Sequence, residues 1–185
     1  MVQVCSILAW TDDRDVIRQP ANNSRPMPDN RHFFQTEMER IQGSRLFPIS
    51  IVMADLDNLK VINDRHGHKA GDVAIIKAAE LLKKSFRTED IIARIGGDEF
   101  VVMALEASEE NEEQLLDRLR QRIREVNRES NRPYELSVSA GAARFLGDED
   151  DTLQGFLDQV DEAMYREKWA KKGDAPPPPV SESRG

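Results

Sequence analysis

Apolar residues in the middle of the chain alternate between short unbroken runs and a spacing of three to four. PISIVMAD (48–55) is an apolar run that ends in an acid, as a buried strand does. The stretch 57–67 reads as a short helix or structured loop. A helix over 71–86 follows, with Val73, Ile76, Leu82 and Phe86 at roughly helical period. DIIARI (90–95) and EFVVMAL (99–105) are strand-like and separated by a turn containing Gly96 and Gly97, which predicts a hairpin. Ser108 is a candidate N-cap for a helix to about residue 129, with Glu109, Glu110, Glu112 and Glu113 where the helix dipole favours acids. ELSVSAGAAR (135–144) alternates like a strand. A last helix over 152–172 has Leu153, Phe156, Leu157, Val160 and Met164 on one face.

The flanks carry less. Residues 2–10 read as a strand, and 11–28, with three prolines, as a linker. Asp29 can N-cap a helix through about residue 42, with Phe34, Met38 and Ile41 on one side and Gly43 as a stop. The tail, with prolines at 176–179, has the composition of a disordered segment. These patterns divide the chain into 1–28 (strand and linker, a candidate remnant of an upstream sensor module), a domain over 29–173, and a tail over 174–185.

The core order is β-α-α-β-β-α-β-α, an α/β (α+β) arrangement: a ferredoxin-like βαββαβ core with extra helices. In a split βαβ unit the first two strands run parallel and the third lies between them, antiparallel to both. The end of the first strand and the hairpin turn then share one edge. Asp55 ends the first strand, and Asp98 and Glu99 follow the turn, so topology alone brings together acids 43 positions apart.

Carboxylates converging beside a Gly-Gly turn suit a hard divalent cation, which takes oxygen ligands and completes its shell from substrate phosphates. The glycines allow a nucleotide to approach the backbone. Glu99 can serve as a ligand or as a base for an attacking hydroxyl. Taken alone, G-G-D-E is equally the tip of an ordinary acidic hairpin.

Charge narrows the choice. The 185 residues carry a net charge of −8, which opposes binding of polymeric nucleic acid and repels a polyphosphate unless cations and a few Lys or Arg side chains intervene. The single cysteine, Cys5, can neither form a disulfide within the chain nor build a Cys-based zinc site. No apolar run approaches the ~18 residues that span a bilayer, and MVQVCSILAW lacks the marks of a signal peptide. A cytoplasmic location without membrane contact is the expectation.

Three separated strings then become recognisable. ARIGGDEF (93–100) resembles the signature of GGDEF-family diguanylate cyclases. ADLDNLKVINDRHGHKAGD (54–72) is similar to that family's D-x-D-x-x-K-x-x-N-D-x-x-G-H-x-x-G-D stretch, and DEAMYREK (161–168) to its final-helix motif. The resemblance covers roughly residues 30–173. It implies a nucleotidyl-cyclase or polymerase-palm-like fold and the condensation of two GTP into cyclic di-GMP with Mg²⁺ (or Mn²⁺), across a weak homodimer.

Carried over residue by residue, the resemblance implies that Asp55 and Asp98 hold metal through their carboxylates and Leu56 through its carbonyl. Asn58, Leu59, Lys60 and Lys168 would meet the triphosphate. Asn63 and Asp72 would hydrogen-bond the guanine, with His68 close by. Asp98 or Glu99 would help deprotonate the attacking 3′-hydroxyl, with Lys60 supporting the reaction. Arg87 and Asp90 form an R-x-x-D pair placed as in the family's product-inhibition site, with Arg118 a candidate helper. An Arg there can grip phosphate in a fork and stack on a base.

Two departures stand out. Where the family has D-x-L-T-G-L-x-N-R, this chain has NSRPMPDNRHFF, keeping only Asn30-Arg31, which bears on signal coupling and dimer geometry. The family's A-K-x-x-G-R is here EKWAKK, with Lys172 where an Arg is typical. The competing readings are a catalytically silent module that binds GTP or cyclic di-GMP, and a cyclase with a mixed GMP–AMP product. Asp72 argues against the second, because a carboxylate suits the N1–H and 2-amino donors of guanine, whereas adenine N1 is an acceptor.

Overall fold

In the computed structural model, residues 34, 36–40, 48–88, 90–104, 111–146 and 153–173 are described, with the side chains of 153 and 154 excepted. Strand β1 (Ile49–Leu56) is buried along nearly its whole length, as its unbroken apolar run requires. Helix α1 (Leu59–His66) follows, and Gly67, at φ 85°, separates it from α2 (His68–Ser85). Strands β2 (Ile91–Arg94) and β3 (Glu99–Ala104) form the expected hairpin. Helix α3 (Glu112–Arg128), strand β4 (Val138–Phe145) and helix α4 (Leu153–Lys172) complete the fold.

The sheet order is β2-β3-β1-β4, with β3 antiparallel to both β1 and β2, and β4 antiparallel to β1. Strands β1 and β2 are therefore parallel with β3 between them, the split βαβ arrangement expected from the element order. Period-2 alternation sends alternate residues of β1 to two different cores. Val52, Ala54 and Leu56 join Phe100, Val102, Val138 and Ala140 under the helices α1–α3. Ile49 and Ile51 join Val101, Met103 and Phe145 under Phe156 and Val160 of α4, with Phe34 and Met38 from the helical residues 34 and 36–40.

Three boundaries differ by three residues from the sequence reading. Helix α2 starts at His68 rather than residue 71, because the left-handed Gly67 makes the break and Gly71 sits inside the helix. The cap of α3 is Asn111 rather than Ser108: Asn111 Oδ1 accepts from the Gln114 N–H, and Gln114 Oε1 accepts from the Asn111 N–H. That is a reciprocal capping box. Strand β4 begins at Val138, so 135–137 lie before it. The readings of a strand at 2–10, a linker at 11–28 and a tail at 174–185 lie outside the described residues, as do both ends of the helix proposed for 29–42.

Helix α4 lies very close to β4 at Gly141. A Cβ there would sit 2.3 Å from the Met164 backbone nitrogen and 2.4 Å from the Val160 carbonyl oxygen. Backbone atoms cannot rotate aside, so Gly141→Ala is expected to push α4 outward and cost ~1–3 kcal/mol. A lowered urea midpoint with unchanged slope checks this.

Candidate active site

The last residues of β1 carry the site. Asp55 pairs with Glu99 across the β1–β3 ladder and with Ser139 across β1–β4. Its side chain lies on the α4 face of the sheet, and it is only 5% exposed. Asp55 Oδ2 accepts a 2.8 Å bond from Lys168 Nζ, whereas Oδ1 is buried with no partner. Val160, Met164 and Lys168 recur every fourth residue, so the helix stripe that packs α4 on the sheet also delivers the lysine.

Burial raises the Asp55 pKa above its ordinary value. The Lys168 hydrogen bond and charge oppose that shift, and the charges of Asp98 and Asp57 add to it. Burial pulls the Lys168 ammonium down, but the bond to Asp55 and the charges of Asp55, Asp98 and Asp57 outweigh it and raise its pKa. The pair thus sits in an excess of negative charge.

A second buried acid, Asp57, lies two residues on and is 8% exposed. It accepts from Ser137 Oγ at 2.7 Å, from Ser139 Oγ at 2.8 Å, and more distantly from Lys171 Nζ at 3.4 Å. The Leu56 N–H donates to the Asp98 carbonyl at 2.9 Å, and the Asp57 N–H donates to the Ser137 carbonyl at 2.8 Å. In a trans peptide the N–H and C=O point opposite ways. Anchoring the Asp57 N–H toward β4 therefore aims the Leu56 carbonyl toward β3 and Asp98.

The hairpin tip is braced by an arginine that sequence reasoning passed over. Arg94 donates to the carbonyls of Gly96 (3.1 Å) and Gly97 (2.7 Å). A Cβ on Gly96 would meet Glu99 Oε2 at 2.3 Å, so the missing side chain makes room for that carboxylate. Gly97 is open, with nothing within 4 Å of an added Cβ.

On the opposite side of β1, Asn58 adopts a left-handed conformation (φ 60°) and its side chain does not cap α1. The first N–H groups of a helix have no intrahelical acceptors; those of α1 include Leu59 and Lys60, beside the end of β1. Lys60, His68 and Asp72 are exposed. Asn63 lies against Gly71: an added Cβ would be 2.0 Å from Asn63 Oδ1, an oxygen that is buried without a partner. Tyr134 Oη holds the α2 start by donating to the Ala70 carbonyl at 3.0 Å.

The donor set fits a hard cation. The oxygens that would hold it are the unpartnered Asp55 Oδ1, the Asp98 carboxylate and the Leu56 carbonyl on the β3 side, a set that favours Mg²⁺ or Mn²⁺. Among the described residues no group of three His, Cys, Asp or Glu could hold a metal by itself. A cation held here would need further oxygen ligands from outside these side chains.

The family model "Diguanylate cyclase, GGDEF domain" matches residues 28–174. The chain belongs to the GGDEF family. It is 39% identical over 121 residues to diguanylate cyclase DgcP of Pseudomonas aeruginosa, covering 65% of this chain and 18% of that protein. Identity to diguanylate cyclase DosC of Escherichia coli K12 is 33% over 141 residues, covering 74% and 30%. The chain thus spans less than a third of either relative. A solved GGDEF domain, described as showing a novel interaction mode with bis-(3′,5′)-cyclic di-GMP, is 30% identical with a TM-score of 0.60, covering 76% of this chain and 87% of that one. The GGDEF domain of DgcB from Caulobacter crescentus, in complex with c-di-GMP, shares the fold with a TM-score of 0.64 at 23% identity, covering 79% and 86%. The palm-like nucleotidyl cyclase fold is the one seen here.

Within this GGDEF domain the R-x-x-D pair closes its own turn. Asp90 Oδ2 accepts the Arg87 backbone N–H at 2.8 Å, and the Asp90 N–H donates to the Arg87 carbonyl at 3.2 Å. Arg87 is exposed, and the Arg118 guanidinium lies 5.7 Å from the centre of the neighbouring Phe86 ring. Among the described residues no helix is long and apolar enough to cross a membrane.

Proposed function

We propose that residues 29–173 form a cytoplasmic diguanylate cyclase, which condenses two GTP into cyclic di-GMP with release of two pyrophosphates and needs Mg²⁺ (or Mn²⁺). The observation that carries this reading is the bare, buried Asp55 Oδ1 beside Asp98 at the sheet end. A buried carboxylate oxygen without a partner is costly, and a cation removes the cost. When bound, the metal stabilises the charge that develops on the phosphoryl group.

The protein supplies position and protons. Lys60 and Lys168 bring the positive charge that a triphosphate needs in an acidic domain, and the amides of Asn58, at the cap of α1, and Leu59, its first residue, suit phosphate oxygens. Asn63 and Asp72 read the guanine edge beside His68. Each 3′-hydroxyl attacks the α-phosphorus of the other GTP, forming a P–O bond while the bond to the β-phosphate breaks. Asp98 or Glu99 takes the proton. Each chain offers one such site, and the product contains two phosphodiester bonds, so two chains must face each other. The acidic surface opposes that approach and makes the dimer weak.

Incubation with GTP and Mg²⁺, followed by chromatography, tests the reading. A cyclic dinucleotide with two guanines is expected; GTP bound but unchanged would instead favour a silent binding module. Product held by Arg87 is expected to keep domains apart. Arg87→Ala should therefore prolong the linear phase of progress curves, and undiminished inhibition by added cyclic di-GMP would remove this assignment.

A further inference from the structure

Two charged residues of α4 that carry no role in the proposed reaction reach the edge of the site. Glu167 and Lys171 lie on either side of Lys168, one helical turn apart, and stand where the family motif A-K-x-x-G-R has alanine and glycine. Glu167 Oε2 accepts from Arg120 Nη2 of α3 at 2.8 Å, and its Oε1 is 3.0 Å from Lys171 Nζ. Arg120 is held in turn by Asp117 at 2.9 Å. Lys171 Nζ donates to the Val138 carbonyl at 2.6 Å and lies 3.4 Å from Asp57 Oδ2. An unbroken chain of charges therefore runs from α3 through α4 to the end of β1.

We infer that Lys171, steered by Glu167, is a positioning residue for the metal and triphosphate: it ties α4 to Asp57 and Val138, fixing the Leu56–Asp57 peptide and the Lys168 ammonium together. The geometry gives it two routes to the site. Asp57 is the residue whose N–H orients the Leu56 carbonyl, and the Lys171 ammonium and the Ser137 and Ser139 hydroxyls hold its carboxylate. Lys168 lies within the turn that Glu167 and Lys171 clamp, 2.8 Å from Asp55. The clamp is only partly buried, with the Lys171 side chain 38% exposed, so it adds little to stability. Groups that hydrogen-bond a metal's ligands typically change its affinity about 10–100-fold; Lys171 acts one step further out, through Asp57, so the low end of that range applies.

The inference rests on the metal-and-GTP reading above, and calorimetry separates the two. Mg²⁺ is titrated into the protein with a GTP analogue carrying a methylene between its α- and β-phosphates, which cannot be cleaved there. Lys171→Met keeps most of the side chain's length without its ammonium and is expected to weaken Mg²⁺ binding about tenfold with little change in the urea midpoint. Lys171→Arg keeps the charge and should stay within about threefold of the unaltered protein. Glu167→Gln, which leaves Lys171 less well aimed, should fall between them. If Lys171→Met bound Mg²⁺ and analogue as tightly as the unaltered protein, or Lys171→Arg were as weak as Lys171→Met, the positioning role would be wrong. If the unaltered protein showed no Mg²⁺-dependent binding of the analogue, the underlying site reading would fall first.

Discussion

Asp55→Asn is expected to lower turnover by about a thousandfold or more while making the protein more stable at neutral pH in the presence of a chelator. The loss of activity follows from the proposed role of Asp55, whose unpartnered, charged oxygen would hold the cation. The gain in stability follows from the raised pKa of Asp55, whose main cause is burial. Between the ordinary value of 3.8 and the higher folded value, the folded chain binds more protons at this residue than the unfolded chain does. Stability contributed by the protonated form is complete below 3.8 and is lost as pH rises through the folded value. Asparagine has the same shape and never ionises, so it avoids that loss. Lys168 keeps the nearby charges of Asp98 and Asp57. Urea unfolding with chelator at a series of pH values should show Asn over Asp gaining an advantage with rising pH and then levelling off. An Asn variant less stable than the parent at neutral pH would contradict the burial argument. Asp98→Ala should abolish turnover as well, with the fold intact, because Asp98 is at a partly exposed turn.

The second large effect concerns the base. Asp72→Ser is expected to reduce the preference for GTP over ATP by about tenfold or more, since an unpaired or repelled polar group costs ~1–3 kcal/mol. The unaltered protein should bind GTP with an affinity in the micromolar range and ATP far more weakly. Gly71→Ala gives a companion result. Its Cβ would lie 2.0 Å from Asn63 Oδ1, so the amide must swing away and guanine binding should weaken while α2 remains folded. Calorimetry with non-cleavable analogues measures both. Equal binding of guanine and adenine nucleotides by the unaltered protein would overturn the pocket assignment.

Much of this architecture was legible in the chain. The run ending at Asp55, the Gly96-Gly97 hairpin and the four-residue recurrence of Val160, Met164 and Lys168 are local patterns, and topology converts them into one site. The braces around the site were not legible. Asp57 meets Ser137 and Ser139 from 80 and 82 positions away, and Arg120 meets Glu167 across 47. Such contacts leave no periodic trace, and Ser137, which lies before β4, does not even share the strand of Ser139. Arg94 reads as an ordinary polar strand residue until the hairpin brings its guanidinium onto the glycine carbonyls. The misplaced cap of α3 has a different cause. Ser108 and Asn111 are equally good capping types, and only the reciprocal Gln114 at the third helical position favours Asn111.

The central claim is that two GTP-loaded chains of this GGDEF domain make the product together. It is tested most directly by initial rates with GTP and Mg²⁺ over about a hundredfold range of protein concentration, with dinucleotide and pyrophosphate both quantified, since assembly that limits activity follows mass action. Cyclic di-GMP and pyrophosphate in a ratio of one to two, with specific activity that climbs as protein concentration rises, is the expected outcome. Specific activity that stays flat while the protein sediments as a monomer, or GTP recovered intact at every concentration, would contradict it.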